Sequence, residues 1–260
     1  MLVQFFDWGK PESVTSSMSE ISLGDKVVVQ HKWGLFIGDV ISSGEGSGSS
    51  NEIVGQVIRK ATAQDLELAL KNKQVERSLK NDIKKAVRNT GLGMKVIEVR
   101  LSIDSGCIVV IFTADNRVDF RELVKTLSVD LGKSVRFQQV GSRDEAKKLG
   151  GLGICGRELC CCKFSRGLKS ITTDMARSQK IAHRGSDRLS GLCGRLMCCL
   201  SYESEQYEEL GKDMPARGDK VIYDKKEAQV MDTIVLEQKL KIVLSDGTRK
   251  TVDLKDVNFL

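Results

Sequence analysis

Between residues 64 and 89, apolar side chains recur at Leu66, Leu70, Leu79, Ile83 and Val87 with charges between them, the spacing of one helical face. Thr90-Gly91-Leu92-Gly93 closes that segment, because glycine is costly inside a helix and well tolerated after its last turn. Two apolar runs follow, 94–103 and 107–112, and read as a pair of strands. The pattern returns to helical over 119–131 and to extended over 133–140. Helix–strand–strand–helix–strand predicts a split α/β unit of ferredoxin-like kind.

Both ends of the chain carry short strand-like runs. Gly24-Asp25-Lys26 leads into Val27-Val28-Val29, Trp33-Gly34 marks a turn, Leu35 to Val40 returns, and 53–58 supplies a third strand. Residues 42–51 are rich in Gly and Ser and read as a flexible loop. Gly218-Asp219-Lys220-Val221-Ile222-Tyr223 repeats the opening phrase, and strand positions follow at 228–230, 240–244 and 249–252, with Ser245-Asp246-Gly247 as a tight turn. The shared Gly-Asp-Lys-Val predicts two small β-units of SH3-like type, or one β-module assembled from both ends. Two unrelated hairpins that both open on a Gly-Asp turn account for it equally well. The predicted class is α+β in four stretches: an N-terminal β-unit over 1–60, an α/β domain over 61–150, a cysteine-rich metal-binding insertion over 151–210, and a C-terminal β-unit over 211–260.

A chain of 260 residues buries enough apolar surface to fold without covalent staples, so its eight cysteines are not needed as a disulfide framework. The first residues lack a basic stretch followed by a sustained apolar one, and no run approaches the ~18 apolar residues of a membrane helix. The expectation is a cytoplasmic protein without membrane insertion. In a reducing compartment, clustered cysteines mean metal or redox chemistry more often than structural bridges. The net charge of +6 is compatible with an RNA-facing surface but decides nothing alone. Lys71, Lys73, Arg77, Lys80, Lys84, Lys85 and Arg88 make the first predicted helix basic, which reads first as a solvated face and second as an RNA contact.

Six cysteines fall in one phrase used twice. Cys155-Gly156-Arg157-Glu158-Leu159-Cys160-Cys161 and Cys193-Gly194-Arg195-Leu196-Met197-Cys198-Cys199 share five of seven positions at an offset of 38 residues. Thiolates from two such loops can converge on one centre, as zinc or an iron–sulfur cluster requires. Glycine after the first cysteine clears space for backbone and metal. Arg157 and Arg195 place guanidinium groups beside anionic sulfur as supporting, non-ligating residues. The four residues between Cys155 and Cys160 also permit zinc, while six thiols exceed one tetrahedral site and suit a labile cluster, or ligands shared across a subunit boundary. Buried, unreactive cysteines are the plainer reading, and a metal-free dithiol switch is a further one. Cys107 reads as core; Cys162 faces Leu200 in the alignment of the two phrases and is a weaker ligand.

No enzyme is indicated. His31 and His183 have no nucleophile motif beside them, and His183, between the two phrases, is a surface or core residue before it is a ligand. Asp115, Asp119 and Glu122 lie among Arg117 and Arg121 and read as solvated ion pairs. Gly150-Gly151-Leu152-Gly153 lacks the lysine and hydroxyl of a phosphate loop and reads as a flexible approach to the first cysteine.

Residues 117–125 (Arg-Val-Asp-Phe-Arg-Glu-Leu-Val-Lys), 141–153, both cysteine phrases and 190–203 (Ser-Gly-Leu-Cys-Gly-Arg-Leu-Met-Cys-Cys-Leu-Ser-Tyr-Glu) closely resemble the bacterial YaaT/RicT family. Its members carry a "polymerase suppressor" C-terminal homology domain and are sometimes labelled stage-zero-sporulation proteins; the resemblance spans roughly residues 20–235. It implies a regulatory complex with small helical subunits that carries iron–sulfur clusters, here a [4Fe–4S] centre, and acts with an endoribonuclease in mRNA maturation. Contact with RNA would then be indirect. The implied ligands are Cys155, Cys160, Cys161, Cys193, Cys198 and Cys199. The rival reading is a zinc-stabilised RNA-binding module that uses the basic helix and the terminal β-units.

Overall fold

In a computed structural model that describes residues 1–18, 20–42, 52–164 and 170–259, the chain divides into two units, Met1–Gly150 and Gly151–Leu260. The predicted Gly/Ser loop lies, over 43–51, outside the described residues. The first unit begins with β1 (Leu2–Gln4), β2 (Glu12–Thr15), β3 (Lys26–His31), β4 (Gly34–Ser42) and β5 (Ile53–Lys60), which close into a barrel in the order β1-β2-β5-β3-β4. The first two strands are three and four residues long, too short to show alternation in the sequence. Two glycines let the strands approach: a Cβ on Gly55 would fall 2.4 Å from the Gln30 carbonyl oxygen, and one on Gly38 2.2 Å from Val3 Cγ1.

Helix α1 (Ala63–Asn89) starts on a capping box, in which the Thr62 hydroxyl accepts from the Asp65 amide and the Asp65 carboxylate accepts from the Thr62 amide. Arg59 from β5 grips the same carboxylate with both terminal nitrogens. The predicted apolar face is used over half its length. Ile83 and Val87 are buried, whereas Leu66 and Leu70 are exposed, because only the C-terminal half of α1 lies on the sheet. That sheet consists of β6 (Met94–Leu101), β7 (Cys107–Ala114) and, after α2 (Arg121–Leu131), β8 (Ser134–Gln139). Strand β7 pairs antiparallel with β6 and parallel with β8.

Strand β7 is the centre of the unit, buried on both faces. Ile108 and Val110 face Ile83, Val87, Leu123 and Leu127, while Cys107, Val109 and Ile111 share a second cluster with Trp8. The Trp8 indole donates to Glu98 at 2.7 Å, and Lys148, in α3 (Ser142–Leu149), lies 2.8 Å from the same carboxylate oxygen. The predicted helix and strand order is present. A βαββαβ ferredoxin-like unit would need a further strand before α1, and the one there, β5, is paired in the barrel instead.

The second unit opens with short helices, α4 (Cys160–Lys163), α5 (Thr173–Ser178) and α6 (Ser186–Leu189), with a 3-10 turn over Ala182–Arg184, and then the longer α7 (Cys199–Gly211). It ends in β9 (Lys220–Tyr223), β10 (Lys226–Ile234), β11 (Lys239–Leu244), β12 (Arg249–Asp253) and β13 (Val257–Phe259), an antiparallel sheet ordered β12-β11-β10-β9-β13. Val221, Val230, Leu240, Ile242 and Val252 form its core.

The chain ends thus build two separate sheets, not one shared module. Their common Gly-Asp-Lys-Val is one turn used twice. Gly24 and Gly218 both take positive φ, +86° and +101°. Asp25 accepts from the Ser22 amide at 2.8 Å, and Asp219 accepts from the Ala216 amide at 2.7 Å. Each glycine amide then donates to the neighbouring strand, at Val40 or Val230, over 2.8 Å. Among the described residues no helix is long and apolar enough to cross a membrane.

Candidate metal centre

The two cysteine phrases fold into the same turn. Leu152 bridges Glu158 in the first copy and Ser190 bridges Leu196 in the second. The Gly153 amide donates to the Arg157 carbonyl and the Gly191 amide to the Arg195 carbonyl, each at 2.8 Å. The Gly156 and Gly194 amides reach back to the Gly153 and Gly191 carbonyls, each at 2.9 Å. Leu159 and Met197 close the copies by donating to Gly151 and Leu189 at 3.1 and 2.8 Å. Gly156 and Gly194 lie at φ +75° and +71°, where any side chain is disfavoured. The stretch from Gly151 to Gly153, expected to be a flexible approach, is one limb of this turn.

In each copy the thiol folds back toward the glycine two residues earlier: a Cβ there would lie 3.6 Å from Cys155 Sγ or 3.8 Å from Cys193 Sγ. Each cysteine doublet then stands at the start of a helix, Cys160-Cys161 opening α4 and Cys198-Cys199 opening α7. Cys155 is exposed, Cys161 is buried, and Cys160, Cys193, Cys198 and Cys199 are half-buried.

The two copies also sense each other electrostatically. Burial first, then Cys162, Cys198 and Cys193, pushes the Cys161 thiol up to about 11. Burial, then Cys160 and Glu203, raises the Cys199 thiol. Tyr202 links the copies directly, its hydroxyl donating to the Phe164 carbonyl at 2.8 Å, and burial with Cys160, Cys198 and Cys161 nearby raises its phenol. Tyr202 is invisible to cysteine spacing, since nothing about a tyrosine three residues beyond the second doublet signals a contact 38 residues away. Extending the alignment upstream to Gly153 and Gly191 would have shown the full extent of the turn.

Arg157 and Arg195 contribute backbone carbonyls to the turns, and their side chains are exposed. Cys162 stands where the second copy has Leu200, a core residue packed with Ala176 and Leu189. Cys107 is buried in β7, where burial raises its thiol. His183 is exposed on the 3-10 turn. His31 is buried in the barrel, its Nε2 3.6 Å from Glu12. Asp119 pairs with Arg121 at 2.6 Å and Glu122 with Lys125 at 2.9 Å, both exposed.

Six cysteine thiols on two matched turns are the donors that soft, thiophilic metals take, and the cysteine set therefore fits such a group in kind. Among the described residues, no three His, Cys, Asp or Glu side chains converge on a common point suited to a metal ion. The turns are paired; their sulfur atoms are not closed around a centre.

Comparison with known proteins bears on residues of both units. A family described as "PSP1 C-terminal conserved region" matches residues 55–140, and one described as "PSP1-like protein, third domain" matches residues 170–214. The "Stage 0 sporulation protein YaaT" of Bacillus subtilis (strain 168) is 37% identical over 220 residues, covering 84% of this chain and 80% of that protein. No solved structure matches the chain.

Proposed function

The chain belongs to the family of YaaT and of proteins with the PSP1 C-terminal conserved region, and from that premise we propose that it is a regulatory adaptor whose paired cysteine turns hold a [4Fe–4S] cluster. The observation that carries this reading is the doubled turn, in which the three backbone hydrogen bonds donated by Gly153, Gly156 and Leu159 recur 38 residues later at Gly191, Gly194 and Met197. A core needs no such duplication, whereas two matched turns can offer thiolates to one centre from two sides.

Four thiolates drawn from Cys155, Cys160, Cys161, Cys193, Cys198 and Cys199, one from each doublet with Cys155 and Cys193, would hold the cluster, which supplies a one-electron couple that iron supply and oxygen can alter. The chain's own contribution is positional. Left-handed glycines fix the two turns, the helix starts present the doublets, and Tyr202 joins the copies. The exposed guanidinium groups of Arg157 and Arg195 would offset the negative charge of ligated thiolates. As in the YaaT/RicT reading, the adaptor is non-catalytic, cytoplasmic and sporulation-related. It would work with small helical subunits and an endoribonuclease in mRNA processing.

Anaerobic purification, alone and with such subunits, followed by iron and acid-labile sulfide analysis beside the visible spectrum, tests the reading. Iron with sulfide, lost in Cys155→Ser/Cys193→Ser, is the expected result. Stoichiometric zinc without sulfide would replace the cluster by a structural zinc site. Reversible disulfides with no metal would make the turns a thiol switch.

A further inference from the structure

A cleft of about 1040 Å³ opens in the second unit between the segment that joins the two cysteine turns and the C-terminal sheet. One wall carries Arg177, Lys180, His183 and Arg184, from the end of α5 and the 3-10 turn. The opposite wall carries Arg217 before β9, Lys241 on β11, and Arg249 and Lys250 on β12. Among the described residues, the carboxylate lining the cleft is Asp232, 3.6 Å from Lys241 Nζ, set against seven lysines and arginines. Arg177 pairs with Asp174 at 2.6 Å, while Lys180, Arg184, Arg217 and Arg249 have no carboxylate partner among the described residues.

Two features show that the wall is held in place. Lys180 occupies a left-handed position, φ +59°, at the end of α5, where its amide donates to Arg177 and that of Ile181 to Ala176. Glycine is the usual residue there, yet a lysine stands in it with its side chain on the cleft wall. Gln179 beside it is buried and donates to the Leu200 carbonyl at 2.7 Å, which ties the wall to α7.

We propose that this cleft binds single-stranded RNA through its phosphate backbone. Arginine forks take phosphate oxygens two at a time, and four line the cleft, at 177, 184, 217 and 249. Its volume sits at the upper end of the ~300–1,000 Å³ that small ligands occupy, which suits a strand better than a lone anion. Tyr207 offers a ring on which a base can stack, and exposed Thr251 offers a hydroxyl to phosphate or ribose. A duplex is convex and rigid and does not enter a concave cleft of this size. An acidic peptide matches the charge but gains less from planar forks and a stacking ring, so nucleic acid is the better fit. The inference stands on the cleft alone and needs no metal centre. It makes RNA contact direct, and it places that contact in the second unit instead of on the basic face of α1.

Fluorescence anisotropy with a fluorescein-labelled single-stranded RNA oligonucleotide and the full chain tests it. Arg184→Gln/Arg249→Gln should weaken binding roughly tenfold or more and flatten the salt dependence by a slope of roughly 1.4, the release expected for two phosphate contacts on a single strand. Arg184→Lys/Arg249→Lys should keep most of the slope. Lys71→Gln/Lys73→Gln on α1 should leave both unchanged, and metal content should be equal in all variants. Absent binding at low salt, unchanged affinity in the cleft variant with native circular dichroism, or loss confined to the α1 variant would each overturn the proposal. So would equal affinity for an RNA duplex or for a polyglutamate chain.

Discussion

Gly156 and Gly194 stand at the same point of two copies of one turn, each in the left-handed region and each donating its amide to a glycine three residues earlier at 2.9 Å. A Cβ at either would meet nothing within 4 Å, so a side chain there costs only backbone strain. Gly156→Ala and Gly194→Ala should therefore each destabilise the second unit by about 1–2 kcal/mol, read by urea denaturation under far-UV circular dichroism. A neutral alanine at both positions would mean that the turns relax into another conformation.

The barrel makes the opposite kind of demand on glycine. At Gly55 a Cβ would strike the Gln30 carbonyl oxygen, a backbone atom that can yield only if the strand moves. Gly55→Ala should cost about 1–3 kcal/mol through overpacking. Gly93→Ala, where the added carbon has open space and φ is ordinary, should be neutral. Both tryptophans, Trp8 and Trp33, belong to the first unit, so their fluorescence should report the Gly55 variant and stay silent to the Gly156 variant. Equal shifts in fluorescence midpoint for these two variants would contradict the division into units.

Asp65 ties β5 to the start of α1. The Arg59 guanidinium, then the Thr62 amide, holds its carboxyl well below the usual carboxylate range. The unfolded chain binds that proton near pH 3.9, the folded chain only at lower pH. The carboxylate's contribution is therefore fully present above about pH 4 and is lost as pH falls through the folded value. Asp65→Asn should lose about 1–2 kcal/mol near neutrality, the usual effect of a broken cap. The gap between variant and wild type should narrow on acidification. A gap that stays constant from neutrality to strong acid would show that the charge is immaterial.

Thiol accessibility gives a chemical check on the cysteine turns. In metal-free, reduced protein, exposed Cys155 should be alkylated first, and buried Cys107 and Cys161 last, as followed by mass spectrometry. Burial acts twice on the slow pair, by blocking the reagent and by disfavouring the thiolate. If Cys161 reacted as fast as Cys155, the doublet would not be packed as described.

The elements that a residue pattern could reveal were those with enough length to express a period. Residues 94–112 and 119–140 show their strands and helix because β7 is a continuous apolar run buried on both faces, α2 buries Leu123 and Leu127 at helical spacing, and β6 and β8 place buried residues among more exposed ones. Strands β1 and β2 leave no period in the sequence, being three and four residues long and stabilised by barrel closure with distant partners. Leu66 and Leu70 kept helical spacing without finding a core, because spacing records which face is apolar and not what covers it. The cysteine phrases are legible as a repeat, yet the cleft is not, since its two walls lie some thirty to seventy residues apart in sequence. Isolated cations at Arg184, Arg217 and Arg249 become a site only when the fold brings them face to face.

Helix α7 starts at the second cysteine doublet and ends where Gln238 Nε2 donates to the Leu210 carbonyl at 2.9 Å and to the Val235 carbonyl at 2.7 Å. Its 13 residues make a rod of about 20 Å, with Tyr207 on the cleft partway along it. Such a rod does not stretch, so a displacement of its sulfur-bearing end is delivered to Tyr207 and to the sheet as a rigid movement. The second cysteine doublet and the tyrosine of the basic cleft are therefore carried on one rigid element, at a spacing fixed by the helix.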